Sequence, residues 1–95
     1  MLSLEQISAG VRAVAVEYPI KRVDLFGSYA EQRNTPESDV DLIIEFFRPY
    51  VSLIQLNCVK DKLEEALNTP VDVVHGPLPE NSILEFGRRI PLYEA

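Results

Sequence analysis

The chain of 95 residues contains one cysteine, Cys58, and no uninterrupted apolar stretch of the about 18 residues that a membrane-spanning helix needs. One cysteine cannot form an internal disulfide, which fits a reducing compartment, and its place among helical core positions predicts a buried thiol. The first residues also lack the pattern of a signal peptide. These absences predict a soluble, cytoplasmic protein without a membrane partner.

Basic residues are also scarce. The sequence has 9 Lys and Arg residues against 15 Asp and Glu residues, so its net charge is -6 at neutral pH. Non-specific binding to nucleic acid requires a cationic surface that displaces counterions, and we therefore expect no direct nucleic-acid partner. An acidic chain can still bind a polyanion such as ATP if metal ions lie between the two.

Apolar residues are plentiful, at 46% of the total, which is enough for one modest core. We therefore predict a single domain spanning residues 1–95. A first amphipathic helix is predicted over residues 4–18, because apolar residues recur there at helical spacing after a capping-box pattern of Ser3 and Gln6. A second amphipathic helix is predicted over residues 53–67, with an apolar stripe formed by Leu53, Leu56, Val59, Leu63 and Leu67.

Three strands are predicted between and after these helices. The first is KRVDLFG, residues 21–27, and the second is DVDLIIEFF, residues 39–47, whose alternation separates an apolar face from an acidic one. The third is PVDVVHG, residues 70–76. A short final helix is predicted over residues 79–90, with Ile83, Phe86 and Ile90 turned inward, followed by an extended tail.

The element order predicts a mixed α/β fold, a small three-stranded sheet flanked by helices in the order α-β-(turn/helix)-β-α-β-α. The second and third strands are joined through a helix and should be parallel, whereas the irregular connection between the first two suits an antiparallel pair. The end of the first strand at Gly27 then shares an edge with the starts of the other two. Asp39, Asp41 and Asp72 are therefore expected to converge there.

This edge has the chemistry of a site for metal and phosphate. Asp39 and Asp41 project from the same face of a strand, about 6.5–7 Å apart at their backbones. With Asp72 they can hold Mg²⁺, which prefers oxygen ligands and is usually shared with substrate phosphates. Gly27 lets the backbone approach a phosphate closely, and Ser28 offers a hydroxyl and an amide where a helical turn begins.

The stretch FGSYAEQRNTPESDVDLIIEF resembles the signature of the minimal nucleotidyltransferases, small relatives of DNA polymerase beta and kanamycin nucleotidyltransferase. Their pattern is Gly-Ser, ten residues, and Asp-x-Asp, with a third acidic residue in a later strand. Gly27, Ser28, Asp39 and Asp41 match this pattern, and Asp72 stands where the third acid is expected. The resemblance covers essentially the whole chain and is closest to the MNT-domain antitoxin type.

The resemblance implies an enzyme that transfers AMP from Mg-ATP to a tyrosine hydroxyl of a HEPN-domain toxin, with which such antitoxins pair. It also implies a cofactor requirement for Mg²⁺, with two ions expected, and ATP as substrate. The residues that it assigns are Asp39, Asp41 and Asp72 as catalytic groups and metal ligands, and Gly27 and Ser28 as nucleotide-binding groups. Arg33, outside the family pattern, is a further candidate for nucleotide binding.

The chain departs from the family pattern after the Gly-Ser step. Most members continue with Arg-Gly where this chain has Glu31-Gln32. Loss of the glycine stiffens the loop, and Glu31 adds negative charge near the expected triphosphate, so reduced activity is expected. Arg33, two positions after Glu31, is the candidate that would restore a cation.

Two other functions remain open at the level of sequence. One is a non-catalytic antitoxin that neutralises the toxin by covering its surface. The other is a transferase acting on a small molecule such as an antibiotic, which fits less well because nothing resembles a second substrate-binding domain. The oligomeric state also stays open between a homodimer and a hetero-oligomer with the toxin.

Overall fold

The computed structural model describes residues 3–33, 35, 38–48, 51–76 and 89–95. Its four strands form one mixed sheet in the order β3-β2-β1-β4, so the predicted α/β architecture is confirmed with one strand more than expected. The elements are α1 (Leu4–Ala15), β1 (Ile20–Phe26), α2 (Gly27–Ala30), β2 (Val40–Phe46), α3 (Leu53–Leu67), β3 (Val71–His75) and β4 (Ile90–Glu94).

Both long helices begin where the capping patterns predict. The Ser3 hydroxyl accepts the backbone N–H of Gln6, whose side chain accepts the backbone N–H of Ser3 in return. The Ser52 hydroxyl caps α3 in the same way by accepting the backbone N–H of Gln55. No helix within the described residues combines the length and the apolar character that a membrane crossing would demand.

The core lies between the sheet and the two long helices. From α3, the residues Val59, Leu63 and Leu67 reach this core, in keeping with the predicted apolar stripe. Two expectations for α3 are wrong. Leu53 is 76% exposed because it lies in the first turn, ahead of the residues that reach the core. Cys58 is also exposed, since successive residues turn by about 100° around a helix and it falls outside the stripe.

A fourth strand stands where only an extended tail was predicted. β4 pairs antiparallel with β1, and Ile90 lies opposite Leu25. The assignment of Ile90 to a final helix was therefore wrong, while Ile83 and Phe86 lie outside the described residues. β4 satisfies backbone groups along the edge of β1, and Pro91 is compatible with the edge position that β4 occupies in the sheet.

The pairing of the central strands confirms the predicted edge. β2 is antiparallel to β1 and parallel to β3. Phe26, the last residue of β1, lies opposite Asp41, and Asp41 in turn lies opposite Asp72. The end of β1 and the beginnings of β2 and β3 therefore meet at one side of the sheet.

Candidate active site

Two carboxylates lie next to each other at this edge. Asp41 and Asp72 are register partners in the parallel pair of β2 and β3, so their side chains leave the same face of the sheet. Asp39 is exposed and precedes β2 by one residue. Burial, followed by the negative charges of Asp72 and Asp39, raises the pKa of Asp41 to about 6. Asp41 is thus the centre of a group of three electrostatically coupled acids.

Gly27 makes room for the Asp41 carboxylate. Its φ of 75° lies in the left-handed region, which glycine adopts without the steric cost that a side chain would add. A Cβ atom at this position would also overlap Oδ2 of Asp41. The turn α2 begins at Gly27 and packs against β2 and β1, and its second residue is the half-buried Ser28. The Gly-Ser step therefore lies against the central carboxylate of the edge.

Arg33, the predicted nucleotide-binding cation, is tethered close to this turn. Its backbone N–H donates to the carbonyl of Ser28 at 2.8 Å. Its guanidinium, however, donates from Nη2 to Oε2 of Glu31 at 2.5 Å, and 70% of the side chain is exposed. Between them, Gln32 has a φ of 59° in the left-handed region, at the position where the family pattern has glycine. The guanidinium of Arg33 is thus paired with the carboxylate of Glu31.

The edge carboxylates form a donor set that fits a divalent cation shared with a substrate. Among the described residues, no three His, Cys, Asp or Glu side chains are already gathered into a metal-binding cluster. Mg²⁺ usually needs only one or two carboxylates, because water and substrate phosphates supply its other ligands. None of the ion pairs found in the described ranges involves Asp39, Asp41 or Asp72. No cationic side chain of the described residues therefore competes with a metal ion for these carboxylates.

Comparison with known protein families shows to which family the chain belongs. A family model described as a nucleotidyltransferase domain matches residues 7–94. This chain belongs to the nucleotidyltransferase family.

Individual relatives agree with the family match. A protein of Methanocaldococcus jannaschii named "Putative protein adenylyltransferase MJ0126" is 34% identical over 74 residues, which cover 73% of this chain and 74% of the relative. A solved structure described as a "putative minimal nucleotidyltransferase" has 30% identity and a TM-score of 0.75, and the match covers 96% of this chain and 97% of the other.

A toxin–antitoxin complex shares the fold. The solved structure is that of a tri-AMPylated Shewanella oneidensis HEPN toxin in complex with an MNT antitoxin. It has a TM-score of 0.71 at 16% identity, and the match covers 98% of this chain and 74% of the other. At this identity the likeness concerns the fold alone.

A further acidic residue on the same face of the nucleotidyltransferase sheet was not predicted. Asp24 on β1 is 4% exposed and lies opposite Ile43, so it shares the face of Asp41. Nε of Arg22 donates to Oδ1 of Asp24 at 3.0 Å, and this bond and charge raise the pKa of Arg22. The alternation of KRVDLF could have placed Asp24 on this face, but not its bond to Arg22.

A groove of about 440 Å³ lies elsewhere on the nucleotidyltransferase domain. It runs between α1 and β4, and its walls include Arg12, Val16 and residues 91–94. None of the predicted site residues lines it. The groove is therefore separate from the candidate active site.

Proposed function

We propose that this nucleotidyltransferase transfers AMP from ATP to a tyrosine hydroxyl of a HEPN-domain toxin, as the antitoxin of the pair. It would act as a single domain, residues 1–95, in the cytoplasm. The observation that carries the proposal is the pairing of Asp41 with Asp72 beside Gly27, since it gathers carboxylates and the Gly-Ser turn at one edge. The relative named as a protein adenylyltransferase and the fold of the antitoxin bound to an AMPylated toxin support this acceptor class.

The proposed reaction is an in-line displacement at phosphorus. The acceptor oxygen forms a bond to the α-phosphorus of ATP while the bond from that phosphorus to the β-phosphate oxygen breaks, so pyrophosphate leaves. Asp39 and Asp41 would hold two Mg²⁺ ions, which neutralise phosphate charge when bound. Asp72 is exposed, so an acceptor from another protein can reach it, and it would orient the hydroxyl and take its proton. Gly27 and Ser28 would bind the triphosphate.

A non-catalytic antitoxin is the second candidate, and a specific observation favours it. The cation that would reach the triphosphate, Arg33, is paired with Glu31, and Gln32 occupies the left-handed conformation at the family's glycine position. The pairing with Glu31 would weaken the attraction of Arg33 for the triphosphate, and the left-handed conformation costs Gln32 strain that glycine would not have. The chain would then inhibit its partner by covering the partner's surface.

Mass spectrometry of a co-expressed HEPN partner separates the two candidates. Wild-type chain should add the mass of AMP to the partner, and Asp41→Ala should abolish the adduct. Asp61→Asn is the matched control, because Asp61 is an exposed acid on α3 and its loss should leave the adduct unchanged. If Asp39→Ala and Asp41→Ala still neutralise the partner, and the wild type leaves no adduct, the binding function replaces the enzymatic one.

A further inference from the structure

The pairing of Asp41 with Asp72 is unfavourable by itself, because two carboxylates at opposing strand positions repel each other. Both residues lie near the start of the ladder between β2 and β3, where Val40 opposite Val71 forms the first register pair. Within the part of the chain that the structure describes, β3 lies at the edge of the sheet and pairs with β2 alone. The start of β3 therefore needs an anchor that holds Asp72 against Asp41.

One peptide group provides that anchor. The peptide between Pro70 and Val71 accepts the backbone N–H of Val40 through the carbonyl of Pro70 at 3.0 Å. The N–H of the same peptide donates to Oε2 of Glu64 on α3 at 3.0 Å. Because a peptide group is planar and rigid, these two bonds together fix the orientation of the chain as it enters β3. Asp72 follows this peptide directly.

The charge of Glu64 should strengthen both bonds. Hydrogen bonds to an ionised acceptor are roughly twice as strong as neutral ones. An anion at the N–H end also polarises the peptide, so the carbonyl of Pro70 becomes a better acceptor for Val40. Val40 separates Asp39 from Asp41, and the bond that it donates therefore links both sides of the candidate metal site.

We propose that Glu64 is a positioning residue of the nucleotidyltransferase site, whose carboxylate holds the peptide that keeps Asp41 and Asp72 in register for a divalent cation. The inference rests on the proposed function, since it supposes that these aspartates bind the cation. Glu64 acts through the Pro70–Val71 peptide and has no part in the bonds that form or break. Its removal should therefore weaken cation binding as well as the fold.

The test compares three variants of the full chain with the wild type. Glu64→Ala removes the acceptor, Glu64→Gln keeps a neutral acceptor, and Glu65→Ala removes the exposed neighbouring acid on the same helix. Mn²⁺ binding by calorimetry, without nucleotide, reports on the aspartates. Amide hydrogen exchange of Val40 and Val71 by NMR reports on the peptide, and urea denaturation reports on the fold.

Glu64→Ala should raise the Kd for Mn²⁺ about tenfold, the lower end of the range for outer-shell partners of a metal site, and should accelerate exchange at Val40 and Val71. Glu64→Gln should raise the Kd roughly two- to threefold, because a neutral acceptor keeps part of the bond. Glu65→Ala should change neither quantity. If Glu64→Ala does not fold, the Kd for Mn²⁺ and the Val40 exchange rate of Glu64→Gln test the positioning role of Glu64.

An unchanged Kd for Mn²⁺ in Glu64→Ala would overturn the proposal, however much stability the variant loses. Glu64 would then stabilise the fold without affecting the cation site. The same holds if Glu64→Gln, as the only folded variant, matches the wild type in Kd and in Val40 exchange. A wild type that does not bind Mn²⁺ is a different result. It would reject the proposed metal site itself, and the positioning role with it.

Discussion

Two aspartates on one face of the sheet show different uses of a carboxylate. Asp24 on β1 is almost fully buried, and Arg22 neutralises it through a hydrogen bond of 3.0 Å. Asp41 on the adjacent strand lies opposite another acid, Asp72, and no described ion pair involves it. Among the residues that the structure describes, Arg22 supplies a counter-charge for the first carboxylate, and no cation pairs with the second. This contrast fits a structural role for Asp24 and the proposed role of Asp41 as a ligand of a divalent cation.

The largest expected effect is on transfer of AMP. Asp41→Ala should lower the rate at least about a thousandfold, because it removes a proposed ligand of the ions that would neutralise the phosphates. Asp24→Asn should change the rate less than about threefold, since its effect is on the fold. Initial rates with labelled ATP and the proposed HEPN partner measure both. Equal losses of the transfer rate in the two variants would contradict the different roles assigned to these two carboxylates.

The second effect is on stability and has the opposite pattern. Asp24→Asn should lower the free energy of unfolding by roughly 1.5 kcal/mol, because it weakens a hydrogen bond between charged groups. The loss is limited because the Arg22 side chain is 42% exposed and can turn to water. Urea denaturation measures the loss, with Asp61→Asn as an exposed control. An unaltered denaturation midpoint for Asp24→Asn would show that the ion pair adds nothing to the fold.

The elements that follow from local sequence patterns could be predicted, whereas those that depend on packing against other elements could not. Cap spacing located α1 and α3, and the helical connection between β2 and β3 predicted the parallel pair in which Asp41 lies opposite Asp72. β4 was missed because its conformation is set by the open edge of β1, which no local pattern reports. The overlap that excludes a side chain at Gly27 exists only once Asp41 packs against this glycine. The bond from Val71 to Glu64 spans only seven residues, but it depends on how the end of α3 turns back to meet β3.

The third effect is a dependence of stability on pH. Burial, and then Asp72 and Asp39, raise the pKa of Asp41 from its ordinary 3.8 to about 6. Between these values the folded chain binds more protons than the unfolded chain, so the free energy of unfolding falls as the pH rises. After allowance for solvent screening, the free energy of unfolding of the wild type should fall by about 1 kcal/mol relative to that of Asp41→Asn as the pH rises through this window.

Urea denaturation in EDTA, at a series of pH values from about 4 to about 7, measures this difference. Mg²⁺ should restore stability to the wild type at neutral pH and leave Asp41→Asn nearly unaffected, because binding stabilises only the folded form that binds the ion. Parallel pH profiles of the two proteins would mean that Asp41 carries no unfavourable charge.

The smallest effect concerns a third carboxylate, Glu31, which is paired like Asp24 but lies at the surface. Glu31→Gln should change the free energy of unfolding by less than about 0.5 kcal/mol, since exposed ion pairs contribute little. It should tighten ATP binding roughly twofold by freeing Arg33 and removing a negative charge. Calorimetric titration with Mg-ATP measures the affinity. Weaker binding of Mg-ATP by Glu31→Gln would show instead that Glu31 favours nucleotide binding.

The most direct test of the proposed site is a crystal structure of the chain with Mg²⁺ and a non-hydrolysable ATP analogue. We predict Mg²⁺ at about 2.1 Å from carboxylate oxygens of Asp39 and Asp41, shared with the phosphates, and the triphosphate against Gly27 and Ser28. A nucleotide bound in the groove between α1 and β4, with no ion at Asp41, would contradict it.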